Sequence, residues 1–104
     1  MSDTILEKII NTILQVIKPD KIILFGSRAK EQAKEDSDYD FLIIKSGIGN
    51  PLHIEKAIYR KFVDMDEIVS IDVIVATPEI IEEYKNVIGS IIKPAMEEGI
   101  LVYG

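Results

Sequence analysis

The spacing of apolar and polar positions changes several times along this chain, and each change predicts an element. Ile5, Ile9, Ile13 and Val16, with Leu6, Ile10, Leu14 and Ile17, recur at helical spacing and make a broad apolar stripe. Thr4 ahead of them and Glu7 three residues on have the form of a capping box, and Pro19-Asp20 ends the helix. Lys21 to Phe25 reads as a short buried strand. Ser27 suits an N-cap, with Arg28 to about Lys34 as a short polar helix and Glu35-Asp36-Ser37 as a loop. Asp38 to Lys45 is a second strand, followed by the loop Ser46 to Pro51. Leu52 to about Asp64 is predicted helical, with Ile54, Ile58 and Phe62 on one side, and Ile68 to Ala76 is a third strand. Thr77-Pro78-Glu79 combines a cap, a proline in the first position and an acid in the first turn. That helix is expected to run to Val87 or Ile88 and stop at Gly89. Ser90 caps a last helix through Glu98, where Pro94 is tolerated near the start. Gly99 breaks it, and Ile100 to Tyr103 can add an edge strand. The expected fold is α/β (α+β): a small mixed sheet of three or four strands with helices packed on it.

Composition narrows what such a fold can do. The 104 residues suit one domain, 1–104, large enough for a single core. Apolar runs fall well short of the ~20 residues that cross a bilayer, so no membrane partner is expected. The start Met1-Ser2-Asp3-Thr4 has no signal-peptide pattern, and the cysteine count is 0, which excludes disulfides and thiolate metal sites. The expected compartment is the cytoplasm. A net charge of −6 argues against strong binding to long nucleic acid, which needs a basic surface. It does not argue against one metal-bound nucleotide, because the metal brings the positive charge.

Five positions stand out against this background. Gly26 and Ser27 directly follow the apolar run Ile22 to Phe25, Asp38 and Asp40 open the run Phe41 to Ile44, and Asp72 sits inside Ile71 to Val75. Carboxylates at the edge of strands that want burial are costly unless something positive meets them. Positions i and i+2 of a strand share a face, so Asp38 and Asp40 point the same way with Cα atoms roughly 6.5 Å apart. Such a pair can converge on magnesium, which prefers oxygen ligands and keeps positions open for water or phosphate. If the third strand lies beside the second, Asp72 reaches the same end. Two ions about 3.5–4 Å apart could then clamp the attacking and leaving oxygens at phosphorus. Asp72 could also take a proton from an attacking hydroxyl. Gly26 lets backbone approach a phosphate, Ser27 offers a hydroxyl, and Arg28 adds a further phosphate contact.

Each residue also has a plainer reading. Asp38 and Asp40 could be solvated after an acidic loop, and Asp72 could point to solvent. Ser27 could serve only as a cap, Arg28 as a surface ion pair and Tyr39 as packing opposite the acids. His53, the single histidine, suits a surface position, and Tyr59-Arg60-Lys61 reads as a solvated helix face that could touch an acidic partner. A Gly-Ser pair or an Asp-x-Asp alone carries little; their order around a strand, a turn and a second strand carries more.

That ordered set, Leu24-Phe25-Gly26-Ser27-Arg28-Ala29, ten residues after Ser27, then Asp38-Tyr39-Asp40, resembles the signature of the polymerase-β-like nucleotidyltransferase superfamily. The short length and the Ile71-Asp72-Val73 element resemble its smallest members, the minimal nucleotidyltransferases, which are known as antitoxins of helical HEPN ribonuclease toxins. The resemblance covers almost the whole chain. It implies transfer of AMP from ATP to a hydroxyl, in several cases a toxin tyrosine. It further implies Gly26 and Ser27 at the triphosphate, Asp38 and Asp40 on magnesium (two ions with ATP bound), and Asp72 as the third carboxylate. The expected partner is a HEPN-type toxin; a homo-oligomer is left open. Two alternatives stand beside this: a non-catalytic antitoxin acting by occlusion, and a nucleotidyltransferase for a small-molecule acceptor.

Overall fold

The computed structural model describes residues 3–30, 33–34 and 37–104. Its elements are α1 (Thr4–Leu14), β1 (Lys21–Phe25), β2 (Tyr39–Ile44), α2 (Pro51–Phe62), β3 (Ile71–Ala76), α3 (Pro78–Tyr84), α4 (Ile92–Glu98) and β4 (Ile100–Tyr103). The strands form one mixed sheet in the order β3-β2-β1-β4. β1 runs antiparallel to both neighbours, whereas β2 and β3 are parallel. A parallel pair needs a long crossover, and α2 supplies it.

Alternation along the strands divides the core between two faces. Ile22, Leu24, Tyr39, Phe41, Ile43, Val73 and Val75 pack with Ile9 and Ile13 of α1 and Ile58 of α2. Ile23, Phe25, Leu42, Ile44 and Ala76 pack with Ile81 of α3 and Ile92 and Ala95 of α4. Burying an aliphatic or aromatic side chain of this size stabilises by about 1.5–3 kcal/mol, so the two layers hold the central strands firmly. Three helices begin at side-chain caps: Asp3 accepts from the Leu6 amide (3.0 Å), Asn50 from Leu52 (3.0 Å) and Thr77 from Ile80 (3.2 Å).

Several boundaries differ from the sequence expectation. The first helix is capped by Asp3, with Thr4 inside it, because the Asp3 carboxylate also receives the Tyr39 hydroxyl at 2.8 Å. Ser27 does not start a regular helix within the described residues: residues 27–30 make successive turns, with the Ala29 and Lys30 amides bonded to the Gly26 and Ser27 carbonyls (both 3.2 Å). The rest of that expected helix includes residues 31 and 32, which lie outside the described residues, as do Met1, Ser2, Glu35 and Asp36. The third strand begins at Ile71, later than the apolar run suggested, since Ile68 is fully exposed. α3 stops at Tyr84, where Ser90 Oγ donates to the freed carbonyl at 2.9 Å.

β3 lies at the edge of the sheet, yet its outward amides are not bare. Val73 N–H donates to the Tyr59 hydroxyl (2.7 Å) and Val75 N–H to Glu55 Oε2 (3.0 Å), both from α2. Open strand edges invite further strands; here side chains of the crossover helix close one.

Candidate active site

The candidate site forms where β1 ends and β2 and β3 begin. Asp40 and Asp72 occupy matching positions on the neighbouring parallel strands, and Phe25 is the antiparallel partner of Asp40. The condition set by the sequence, a third strand beside the second, is met. Leu42 and Ala76, on the same side of the strands as the two acids, belong to the layer under α3 and α4. The acids continue that face at its open end: Asp40 is half-buried, Asp38 and Asp72 are exposed.

Gly26 closes the third side. Its φ is +77°, and a β-carbon built there would run into Asp40 Oδ2. Glycine is therefore required twice, for the left-handed backbone and for the space the carboxylate takes. The Gly-Ser turn and the acidic pair, twelve or more positions apart in the sequence, form one local structure.

Electrostatics mark Asp40. Burial, the charges of Asp72 and Asp38, and a hydrogen bond to Asp72 all push its carboxyl above the ordinary range. Like charges brought together raise a carboxyl pKa in this way. Among the described residues, no group of three or more His, Cys, Asp or Glu is gathered tightly enough to hold a metal ion; repulsion opposes closer approach of three carboxylates alone. The donor set is all oxygen, which suits a hard cation such as magnesium. A cation between them would relieve the repulsion that raises Asp40.

Tyr39 packs opposite the acids as expected, and Arg28 makes contacts that the sequence did not suggest. Arg28 Nε and Nη2 both donate to the Ser37 carbonyl (3.0 and 2.8 Å), and the guanidinium lies 3.9 Å over the Tyr39 ring. The guanidinium thus binds the backbone leading into Asp38. Tyr39 is buried against Phe41 on the opposite face, and burial together with the Asp3 bond pushes its phenol up to about 12. This Asp3–Tyr39–Arg28–Ser37 chain of contacts was missed in the sequence. Its signal was thin: an arginine after Gly-Ser and a tyrosine between two aspartates. His53 is exposed, away from the acids on α2.

Comparisons with known proteins bear on the family and the fold. The family "Polymerase beta, Nucleotidyltransferase" matches residues 7–104. A crystal structure from Sulfolobus solfataricus, described as a candidate nucleotidyltransferase, superposes with a TM-score of 0.62 at 17% identity, covering 96% of this chain and 78% of that one. A crystal structure of a toxin-antitoxin with AMP-PNP superposes with a TM-score of 0.58 at 15% identity, over 94% of this chain and 72% of that one. No curated protein matches the chain. At these identities the superpositions speak for the fold. No helix among the described residues is long and apolar enough to cross a membrane.

Proposed function

Since the chain belongs to the polymerase beta nucleotidyltransferase family, we propose that it transfers AMP from ATP to a hydroxyl of a partner protein, with magnesium. The observation that carries this reading is the register of Asp40 beside Asp72 with Gly26 packed against the Asp40 carboxylate. Asp38, Asp40 and Asp72 would hold the ions, which supply charge neutralisation at the phosphates. Gly26 and Ser27 lie where a triphosphate would approach the backbone, and the Arg28 bond to Ser37 fixes the chain that delivers Asp38. In the transfer the acceptor oxygen attacks the α-phosphorus, the bond to the bridging oxygen breaks, and pyrophosphate leaves. Asp72 would receive the acceptor's proton, a role its exposure on the outermost strand supports.

The acceptor we propose is a tyrosine of a helical HEPN-type ribonuclease toxin, which makes this chain an antitoxin. The similar toxin-antitoxin structure with AMP-PNP supports that reading. The test is incubation of the chain with a co-encoded helical partner, magnesium and ATP, followed by intact mass. A single AMP increment on the partner, lost in Asp38→Ala with Asp40→Ala, is the expected result. Full neutralisation of the partner by that double variant would leave occlusion as the mechanism, and labelling of a small hydroxylated compound alone would move the acceptor class.

A further inference from the structure

α2 carries two apolar stripes, and the core uses one. Ile54, Ile58 and Phe62 pack inward, with Ile58 fully buried. On the outward side Leu52, Lys56, Tyr59 and Val63 follow one another at steps of four, three and four, the spacing of a two-helix seam. Leu52 is 59% exposed and Val63, capping the helix, 82%. Lys56, Tyr59, Arg60 and Val63 line one shallow groove of about 360 Å³. Exposed apolar residues scattered singly need no account; these are aligned.

Charge says what fits there. Lys8, Lys30, Lys45, Lys85 and Lys93 each pair with a carboxylate, whereas Lys18, Lys21, Lys34, Lys56, Arg60 and Lys61 make no ion pair among the described residues, and the last three lie together on α2. The acid of α2, Glu55, is turned away to accept from Val75 N–H. An acidic protein of net charge −6 keeps three cations within two turns of one helix, with Asp64 sharing a groove with Arg60 and Lys61 and no carboxylate lining the groove of Lys56 and Arg60. Tyr59 at its middle is held in place, its hydroxyl bonded to Val73 and its ring edge-on to Phe62 at 5.9 Å. Rigid tyrosine beside arginine is the composition of binding hot spots.

We propose that the outer face of α2 docks an amphipathic helix of a partner protein, apolar against Leu52, Tyr59 and Val63 and carboxylate-bearing against Lys56 and Arg60. A second copy of this chain would set the same cations against each other. RNA would satisfy the cations and leave Leu52 and Val63 against phosphates. α2 returns the chain to the start of β3, so a helix laid along it points toward the end of the sheet where Asp40 and Asp72 lie, while α2 itself packs on the opposite face. The inference stands on α2 alone and does not require the acids to be catalytic.

The test titrates the full chain, followed by amide NMR, with two synthetic helices of about three heptads sharing a leucine seam, one flanked by Glu and the other by Lys. The Glu helix should bind about tenfold or more tighter, with shifts confined to α2 and its edges, and Lys56→Glu with Arg60→Glu should reverse the preference. No binding of the Glu helix, equal binding of both, or indifference to the charge reversal overturns the proposal. So does a short RNA displacing the Glu helix, or a concentration-dependent dimer through this face.

Discussion

Asp3 and Asp40 lie on opposite faces of one strand end, and their surroundings could hardly differ more. On one face, burial works against the charge of Asp3, but the Leu6 and Ile5 amides, the Tyr39 hydroxyl and the Arg28 charge hold its carboxyl below the ordinary range. On the other, Asp40 meets burial and two further carboxylates, and is pushed above that range. Tyr39 and Asp40 are adjacent residues of β2, so the contrast is produced by a single step along a strand. An acid that serves the fold is surrounded by donors. An acid surrounded by acids costs the fold stability at neutral pH, a cost that the proposed metal site would relieve.

Replacing both Asp38 and Asp40 with Asn is the sharpest way to break the comparison. A bound metal supplies several kcal/mol of charge stabilisation, so transfer should fall by about a thousandfold or more. The thermal midpoint at pH 7 should stay level or rise, because like-charge repulsion is removed. A radiolabel transfer assay beside a melting curve reads both, and a fall in the midpoint would mean that these acids hold the fold together.

Gly26→Ala should damage both properties. A left-handed φ for alanine costs about 1 kcal/mol or more, and displacing the Asp40 carboxylate adds to it. We expect the midpoint to drop by at least about 4 °C, on the scale of about 4–8 °C per kcal/mol for a small domain, with transfer lost. Unchanged melting would show that the turn relaxes and that Asp40 does not depend on it.

Asp3→Ala should lower stability by about 1–2 kcal/mol, from the lost cap and the stranded Tyr39 hydroxyl, with denaturant unfolding as the measurement. Tyr39→Phe should recover part of the loss in that background, since it removes the unpaired hydroxyl.

The smallest effect is in the pH profile. Asp40 binds its proton more readily folded than unfolded, so its destabilising contribution is present above the raised folded pKa and disappears as pH falls toward the ordinary carboxylate range. Asp3 has the opposite sign: its contribution is full above its ordinary pKa and lost as pH falls through the lowered folded one. Lowering pH from 7 toward the ordinary carboxylate range, about 4, should therefore favour the wild type's midpoint relative to that of Asp40→Asn, and saturating magnesium should erase the difference. Parallel profiles would mean that Asp40 is not strained.

Much of this was legible because local pattern and fold agree. β1 occupies Lys21 to Phe25 as its apolar run required, the sheet is mixed with four strands, and the Gly-Ser and Asp-x-Asp signature does identify the nucleotidyltransferase family. What stayed hidden depends on contacts between distant residues. Asp3 displaced Thr4 as cap because Tyr39, 36 positions on, gave it a second donor. Arg28 turned to the Ser37 carbonyl, a backbone group that leaves no trace in residue types. Tyr59 read as part of a solvated helix face and Glu55 did not stand out, whereas their polar ends reach Val73 and Val75. Side chains that bond remote backbone obey no periodicity, so no pattern along the chain announces them.

The capping of β3 by α2 has one more effect, on how this protein behaves when crowded. With that border closed, the sheet's other edge strand, β4, is the place where a foreign strand could add. It is only four residues long and its pairing with β1 is broken by a register shift between Ile22 and Ile23. Fibrillar growth from the native state would have to begin on that short template, at Ile100 and Leu101, both about half-exposed, and a single lysine there should suffice to keep concentrated solutions clear.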